Sequence, residues 1–328
     1  MKNNRVIVSS SPHIRSSHTT QRIMIDVLIA LVPSLLCGIM YFGIRAAWIT
    51  ALSVFFCVLF EYAWNKMLHK PNSLYDCSAA VTGVLLAFNM PVTVPWWLPV
   101  IGSFMAIVIV KQLFGGLGCN FMNPAVAGRT FLLASWPMLM TRFVTPFSTG
   151  FFIGADVISS ATPLAVLQGE GQMEQLPSLL AMFLGQIGGC IGETSAAAIV
   201  LGGVYLLWRR VITPQIPLSF IGTVAVLTFI FSGHDISGWE NMLYNVLSGG
   251  LLLGAVFMAT DYVTSPISPK GQVIMGIGCG AVTFLIRRFG GYPEGVSYGI
   301  LLMNVATPLI DRWCRPKKFG YVRRMIGE

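Results

Sequence analysis

The chain has 328 residues, of which 55% are hydrophobic and only 10% charged, and it carries a formal net charge of +8. Soluble domains carry roughly 25% charged residues, and a soluble chain of this length needs a polar coat that this composition cannot supply. Lys and Arg gather at the ends of apolar runs and in the terminal tails, which excludes a nucleic-acid-binding face and marks them as charge that orients membrane helices.

Residues 1–22 are hydrophilic and basic, with Lys2, Arg5, Arg15 and Arg22, and read as a cytoplasmic N-terminal segment. The apolar run Ile23 to Gly43 is too long for a signal-peptide core and reads as a retained first helix running outward. A second helix, Ala46 to Leu68, returns to Lys66, His69 and Lys70. A third, Asp76 to Met90, runs outward to the uncharged Pro91–Pro95 turn, and a fourth, Trp96 to Val110, returns to Lys111. The fifth starts near Asn120 and leads to the most polar long interval of the chain, Thr141 to Pro177, with Arg142 against Asp156, Glu170 and Glu174. Its shortage of Lys and Arg places this loop, 141–177, outside the cytoplasm.

The apolar stretch Ser178 to Trp208 is too long for one simple helix and is interrupted by Gly188, Gly189, Gly192 and Glu193. It reads as a broken or partly re-entrant pass ending at Arg209-Arg210, tolerable where protein covers it. A seventh helix (Pro217 to Phe231), an eighth (Leu243 to Thr260), a ninth (Gln272 to Leu285) and a tenth (Gly295 to Trp313) follow, before a basic tail over 314–328. About ten helices with both termini cytoplasmic satisfy the positive-inside asymmetry. Arg45 and the pair Arg287-Arg288 are its exceptions.

An internal repeat supports this layout. Ser78–Pro95 aligns with Ser248–Pro266, allowing one insertion, and both end in Val-Thr-x-Pro; Met122-Asn123 echoes Met303-Asn304. The two stretches run in opposite directions through the membrane. The expected fold class is therefore an all-α integral membrane protein of about ten transmembrane helices in two inverted five-helix repeats. The repeats cover 23–140 and 178–313, joined by the long external loop.

The four His are scattered and the seven Cys include no C-x-x-C pair. No zinc site, iron–sulfur cage or disulfide framework is legible within the chain. Cys77 and Cys119 lie near expected cytoplasmic ends, where a thiol can approach a partner's cofactor; the Cys in apolar runs read as small buried hydrophobes. The Gly-rich stretches 115–118 and 249–254 open no strand–helix unit, so they are not phosphate loops. They are expected at close helix packing or at irregular breaks facing the bundle interior. Charges at membrane depth are functional candidates by default: here Glu61, Lys111, Arg129, Glu193 and Asp261. Glu61 is expected to reach the cytoplasmic interface and Arg129 to hold backbone carbonyls. No pair of carboxylates suggests a sodium site, and no metal ligand is assigned.

Several stretches together resemble a known family: Ser11–Arg15, Gly115–Arg129, Phe257–Pro266 with Ser268–Gly271, Gly290–Gly295, and Leu302–Asp311. They resemble the family that holds the D subunits of Rnf-type ion-translocating ferredoxin:NAD oxidoreductases and the B subunits of sodium-translocating NADH:quinone reductases. The resemblance implies a fold similar to urea and ammonium channels, an FMN joined by its phosphate to a threonine, and a non-covalent riboflavin. It also implies neighbouring Rnf subunits in a bacterial or archaeal cytoplasmic membrane, and electron transport between reduced ferredoxin and NAD coupled to Na+ or H+ translocation. In that family the flavinylated threonine ends a Ser/Thr-Gly-Ala-Thr run after an Asp. Here the run is Ser159-Ser160-Ala161-Thr162 after Asp156, with Ser160 where glycine is usual. A threonine hydroxyl has no intrinsic nucleophilicity near neutral pH, so a separate flavin transferase is expected to attach FMN to Thr162. The chain shows no Rossmann fingerprint and no cluster-binding Cys set, which puts NAD and ferredoxin chemistry on other subunits. A channel or transporter of the urea-transporter-like fold, without redox role, explains the repeat equally well but gives no reason for the external Ser-Ser-Ala-Thr run.

Overall fold

The computed structural model of the chain describes residues 19–70, 73–147, 162–167, 176–232, 237–290 and 294–315. It opens with two long apolar helices, α1 (Thr20–Phe42) and α2 (Ile44–Met67), joined by Gly43 alone, whose φ of 75° lets the chain reverse in one residue. Next come α3 (Ser78–Phe88), α4 (Trp97–Gln112) and α5 (Pro124–Ser135). The second part holds α6 (Leu179–Leu184), α7 (Ala196–Trp208), α8 (Gln215–Ile230), α9 (Gly238–Leu247), α10 (Leu251–Met258), α11 (Pro269–Phe289) and α12 (Val296–Trp313). Among the described residues every element is helical. Side-chain caps set several starts: Asn123 Oδ1 accepts from Ala125 N and Val126 N at the head of α5, and Ser195 Oγ from Ala198 N at the head of α7.

The helices are not ten uniform spans. By length and composition α1, α2 and α11 can each cross a membrane alone, whereas α9 and α10 qualify only as a pair bent by 63°. Ser78–Phe88, Trp97–Gln112, Ala196–Trp208 and Gln215–Ile230 are shorter apolar helices. The single eighth helix expected over Leu243 to Thr260 is corrected accordingly: it is two helices, broken at Ser248-Gly249-Gly250, with Gly249 at φ 65°. The sixth pass is broken as expected, into α6, an irregular segment 185–195, and α7. Breaks at membrane depth persist only where backbone groups find partners inside protein. Here Ile191 N donates to Met90 O and Gly192 N to Phe88 O, both at 3.1 Å, so the irregular segment closes the C-terminal end of α3. Gly192 is required there, since a Cβ would overlap the Phe88 ring.

The outer faces are apolar. Leu36, Met40, Phe55, Leu201, Leu218 and Leu302 are all exposed on helices, an arrangement that is a liability in water and the normal state against lipid. The chain is a multi-pass membrane protein. Inside, α1 packs on α7 and α5 on α12, while α2 packs on α3 and α4, and α8 on α10 and α11. Leu86, Phe88, Leu132, Leu251, Phe257 and Ile300 belong to one buried cluster at the junction of the two parts. Asp26 of α1 accepts from Tyr205 of α7 at 3.0 Å and pairs with Arg209 at 3.2 Å, clasping the two helices at one end.

Two exceptions to the charge asymmetry have a physical reason. Arg45 Nη2 donates to Thr93 O and Val94 O at 3.2 and 3.3 Å. Arg287, 5% exposed, donates to Asn245 O (2.6 Å) and Ser248 O (3.2 Å), carbonyls at the open end of α9. Both guanidinium groups are spent on carbonyls that lack helical partners, with the favourable sign for a helix C-terminus in the second case.

Candidate functional site

Thr162 begins the short turn Pro163–Ala165, and its Oγ1 accepts from Ala165 N at 3.3 Å. Half-buried, it lines a pocket together with Gly188, Gly189, Glu193, Thr194, Gly249 and Glu294. The two chain breaks therefore meet beneath this threonine: the irregular segment before α7 and the glycine pair before α10. Asp156, Ser159, Ser160 and Ala161 lie outside the described residues.

Below the pocket sits a buried charge cluster. Arg129, on α5 and 3% exposed, donates through Nη1 to Asn89 Oδ1 (3.0 Å) and Ser297 Oγ (2.9 Å), and its Nη2 pairs with Glu294. The expectation that Arg129 holds backbone carbonyls is corrected. Carbonyls within helices already accept from their own helix, so the planar five-donor fork is served by side chains from α3, α12 and the approach to α12. Glu193, 4% exposed, accepts through Oε1 from Cys190 N at 3.1 Å, while its Oε2 is buried with no hydrogen-bond partner. A Cβ on Gly250 would lie 2.6 Å from that Oε2, and one on Gly249 would lie 3.3 Å from Arg287 Nη2. The glycines of 249–254 thus serve close packing at an irregular break, as expected.

The carboxylates of Glu193 and Glu294 and the Cys190 thiol lie within 4.8 Å of one another. Two carboxylates therefore lie side by side here. In the sequence Glu294 is only part of the Gly290–Gly295 motif, and nothing local in the chain says that it will face Glu193. At the centre of the bundle Asn123 Nδ2 donates to Met258 O at 3.0 Å. With the Asn304 amide oriented to satisfy both its groups, it accepts from Asn123 N at 3.1 Å and donates to Ile300 O at 3.3 Å. The two Asn of the repeated Met-Asn pairs therefore meet.

A second polar cluster lies at the other end of α3. Glu61 and Lys111 form an ion pair at 2.9 Å and are 1% and 2% exposed. Ser73 Oγ donates to Glu61 Oε1 at 2.7 Å, Gln112 Nε2 to the same oxygen at 3.2 Å, and Lys111 Nζ to Ser78 Oγ at 2.6 Å. Glu61 does not reach the interface, contrary to expectation; α4 is wound as a π-helix over Met105–Gln112, and that end of it supplies the buried lysine and glutamine. Lys111 and Ser78 also line a mostly apolar cavity with Val27, Leu85, Asn120 and Asp261. The Gly115–Gly118 stretch is corrected from helix packing to a largely exposed turn with positive φ at Gly115, Gly116 and Gly118. Cys119 in this turn is exposed and Cys77 half-buried, whereas Cys57, Cys190 and Cys279 are buried.

A sequence profile of the NQR2, RnfD, RnfE family matches residues 7–320. The chain is 48% identical over 318 residues to a protein of Acetobacterium woodii named as the D subunit of a Na(+)-translocating ferredoxin:NAD(+) oxidoreductase complex, covering 96% of each chain. It is 43% identical over 327 residues to a protein of Clostridium ljungdahlii named as the D subunit of a proton-translocating ferredoxin:NAD(+) oxidoreductase complex, covering 98% of each. A Stutzerimonas stutzeri protein named as the D subunit of an ion-translocating oxidoreductase complex is 42% identical over 332 residues, covering 94% of this chain and 93% of its own.

Proposed function

The chain belongs to the NQR2, RnfD, RnfE family, and from that premise we propose that it is the D-type membrane subunit of an ion-translocating ferredoxin:NAD oxidoreductase, relaying electrons through an FMN tethered to Thr162. Relatives that it matches over nearly their whole length carry that name. The observation that carries the flavin reading is the placement of Thr162 at a pocket above the buried Arg129–Glu294 pair. The residues fit a phosphodiester-linked flavin. The threonine hydroxyl is partly accessible, and Leu164, two residues on, also lines a neighbouring pocket with Phe231, Phe284, Arg287 and Arg288. Aromatic rings beside guanidinium groups suit a planar, electron-accepting ring system and a phosphate. Bound there, the flavin supplies the electron chemistry, and the protein sets its position and surroundings.

Among the described residues the Thr162 hydroxyl meets a backbone N–H and no activating base, which supports attachment by a separate flavin transferase. The cavity lined by Lys111, Asn120 and Asp261 has the apolar walls and few polar groups that a non-covalent riboflavin needs. Two inverted halves of about five helices each, over 23–140 and 178–313 with loop 141–177 external and both termini cytoplasmic, complete the proposed architecture. The facing pairs α1 with α7 and α5 with α12 support it, as does the Asn123–Asn304 contact. Other Rnf subunits are the partners that supply and remove electrons.

The test is direct. The full chain is co-expressed with a flavin transferase, denatured, and inspected for flavin fluorescence on the protein band beside Thr162→Ala. A fluorescent wild-type band and a dark variant band are expected. Both dark, with full-length protein and an active transferase, would remove the flavin reading and turn attention to solute flux through a channel.

A further inference from the structure

Four charged side chains crowd the Gly249-Gly250 break under Thr162: Arg129 from α5, Arg287 from α11, Glu193 from the irregular segment and Glu294 before α12. Their formal charges cancel. Glu294 is held by Arg129. Glu193 differs, because one carboxylate oxygen is satisfied by Cys190 N and the other is buried without a partner although it borders the Thr162 pocket. An acceptor left open in a buried, otherwise paired cluster calls for an explanation. A metal ion is a poor one. The third ligand atom within reach is the Cys190 sulfur, a soft donor that does not suit sodium, and a metal ion needs several hard oxygens where one is open. A proton needs only the one open oxygen.

We propose that Glu193 is the proton-accepting group of this site, taking up one proton as one electron reaches the flavin at Thr162 and releasing it as the electron leaves. This rests on the flavin assignment above. A reduced one-electron donor gives up the electron; an O–H bond forms on Glu193 Oε2 as an O–H bond of a hydronium ion or buffer acid of the surrounding solvent breaks, and the conjugate base stays in bulk solution. The added negative charge and the added proton leave the net charge of the cluster unchanged. Without that proton, the new charge would sit beside a carboxylate in a medium where like charges repel strongly. Glu193 is thus a positioning and charge-balancing residue, and the flavin remains the electron carrier.

The experiment is reduced-minus-oxidised infrared difference spectroscopy on the purified, flavinylated full chain in lipid nanodiscs. Reduction should raise a carboxylic-acid C=O band that shifts in D2O and shifts again in protein labelled with 13C-glutamate. The band should vanish in Glu193→Gln, which keeps an acceptor for Cys190 N, and persist in Glu294→Gln. The isotope shifts in wild-type protein keep the test decisive if a variant folds poorly, since no glutamate acid band in the wild type sinks the proposal. A band unchanged in Glu193→Gln also overturns it, as does a carboxylate shift that appears only when Na+ is added. Covalent fluorescence is scored on the same samples. A dark wild-type band would bring down the flavin reading and this inference together, whereas a fluorescent band without the acid signal would bring down this inference alone.

Discussion

At Glu61 and Lys111, two opposite charges sit almost wholly out of solvent at 2.9 Å, which makes their energetics asymmetric. Removing one partner leaves a buried, uncompensated charge and costs about 3–5 kcal/mol, whereas replacing both with apolar groups of similar volume is often neutral or better. Lys111→Met should therefore lower the thermal midpoint of the detergent-solubilised protein sharply. Adding Glu61→Leu should recover most of the loss, though not all, because Ser73 Oγ and Gln112 Nε2 both donate to Glu61. A double-mutant cycle on thermal unfolding measures the difference; equal damage in single and double variants would contradict it. Arg129 poses a sharper geometric problem. It serves Asn89, Ser297 and Glu294 at once, and lysine has the charge without the planar fork. Arg129→Lys should lose at least one charge-assisted hydrogen bond, about 1.5–3 kcal/mol, again read from thermal unfolding.

The elements that matter most here are the broken ones. Gly192 touches the Phe88 ring where the irregular segment closes α3, so Gly192→Ala should overpack the site by about 1–3 kcal/mol. In a Phe88→Ala background, which removes the ring and the Cγ that the new methyl would overlap, Gly192→Ala should cost less thermal stability than in the unaltered chain; an equal cost in both backgrounds would mean that the overlap with Phe88 is not what requires the glycine. That break is legible in the sequence, because Gly188, Gly189, Gly192 and Glu193 interrupt an overlong apolar run. The break before α10 is only half legible, since the glycines of 249–254 fit close packing and an irregular break equally well. Ser248-Gly249-Gly250 looks like a small-residue packing stripe, and what stabilises an interruption there is Arg287, which lies on another helix. Glu61 is hard to place for a related reason: helical periodicity gives depth along α2 but is silent about the π-wound end of α4 that delivers Lys111. The Ser-Ser-Ala-Thr run draws attention to Thr162, whereas nothing in the sequence draws attention to the carboxylate pair near it, since Glu193 and Glu294 meet only through the packing of the two halves.

Across the whole molecule, the distribution of charge argues for one direction of crossing; Arg45 and Arg287 do not count against it because both are committed to backbone carbonyls, and exposed Arg288 stays an exception. In the proposed topology the Lys111–Cys119 turn lies on the side of the cytoplasmic tails, and the start of α9, with Glu240 exposed, lies on the side of Thr162. Cysteine labelling can tell the two faces apart once the half-buried Cys37, Cys77 and Cys314 are changed to serine, because Cys119 is the exposed thiol among the described residues and Cys57, Cys190 and Cys279 are buried. A membrane-impermeant maleimide should label Cys119 in inverted vesicles and leave it unlabelled in right-side-out spheroplasts. Glu240→Cys in a Cys119→Ser background should behave in the opposite way. If both patterns come out reversed, Thr162 faces the cytoplasm. A tether then no longer serves to keep a flavin from escaping into the surroundings, and the proton that balances electron arrival must be drawn from the cytoplasm. The side on which Cys119 is labelled therefore fixes the direction of any charge that Glu193 moves.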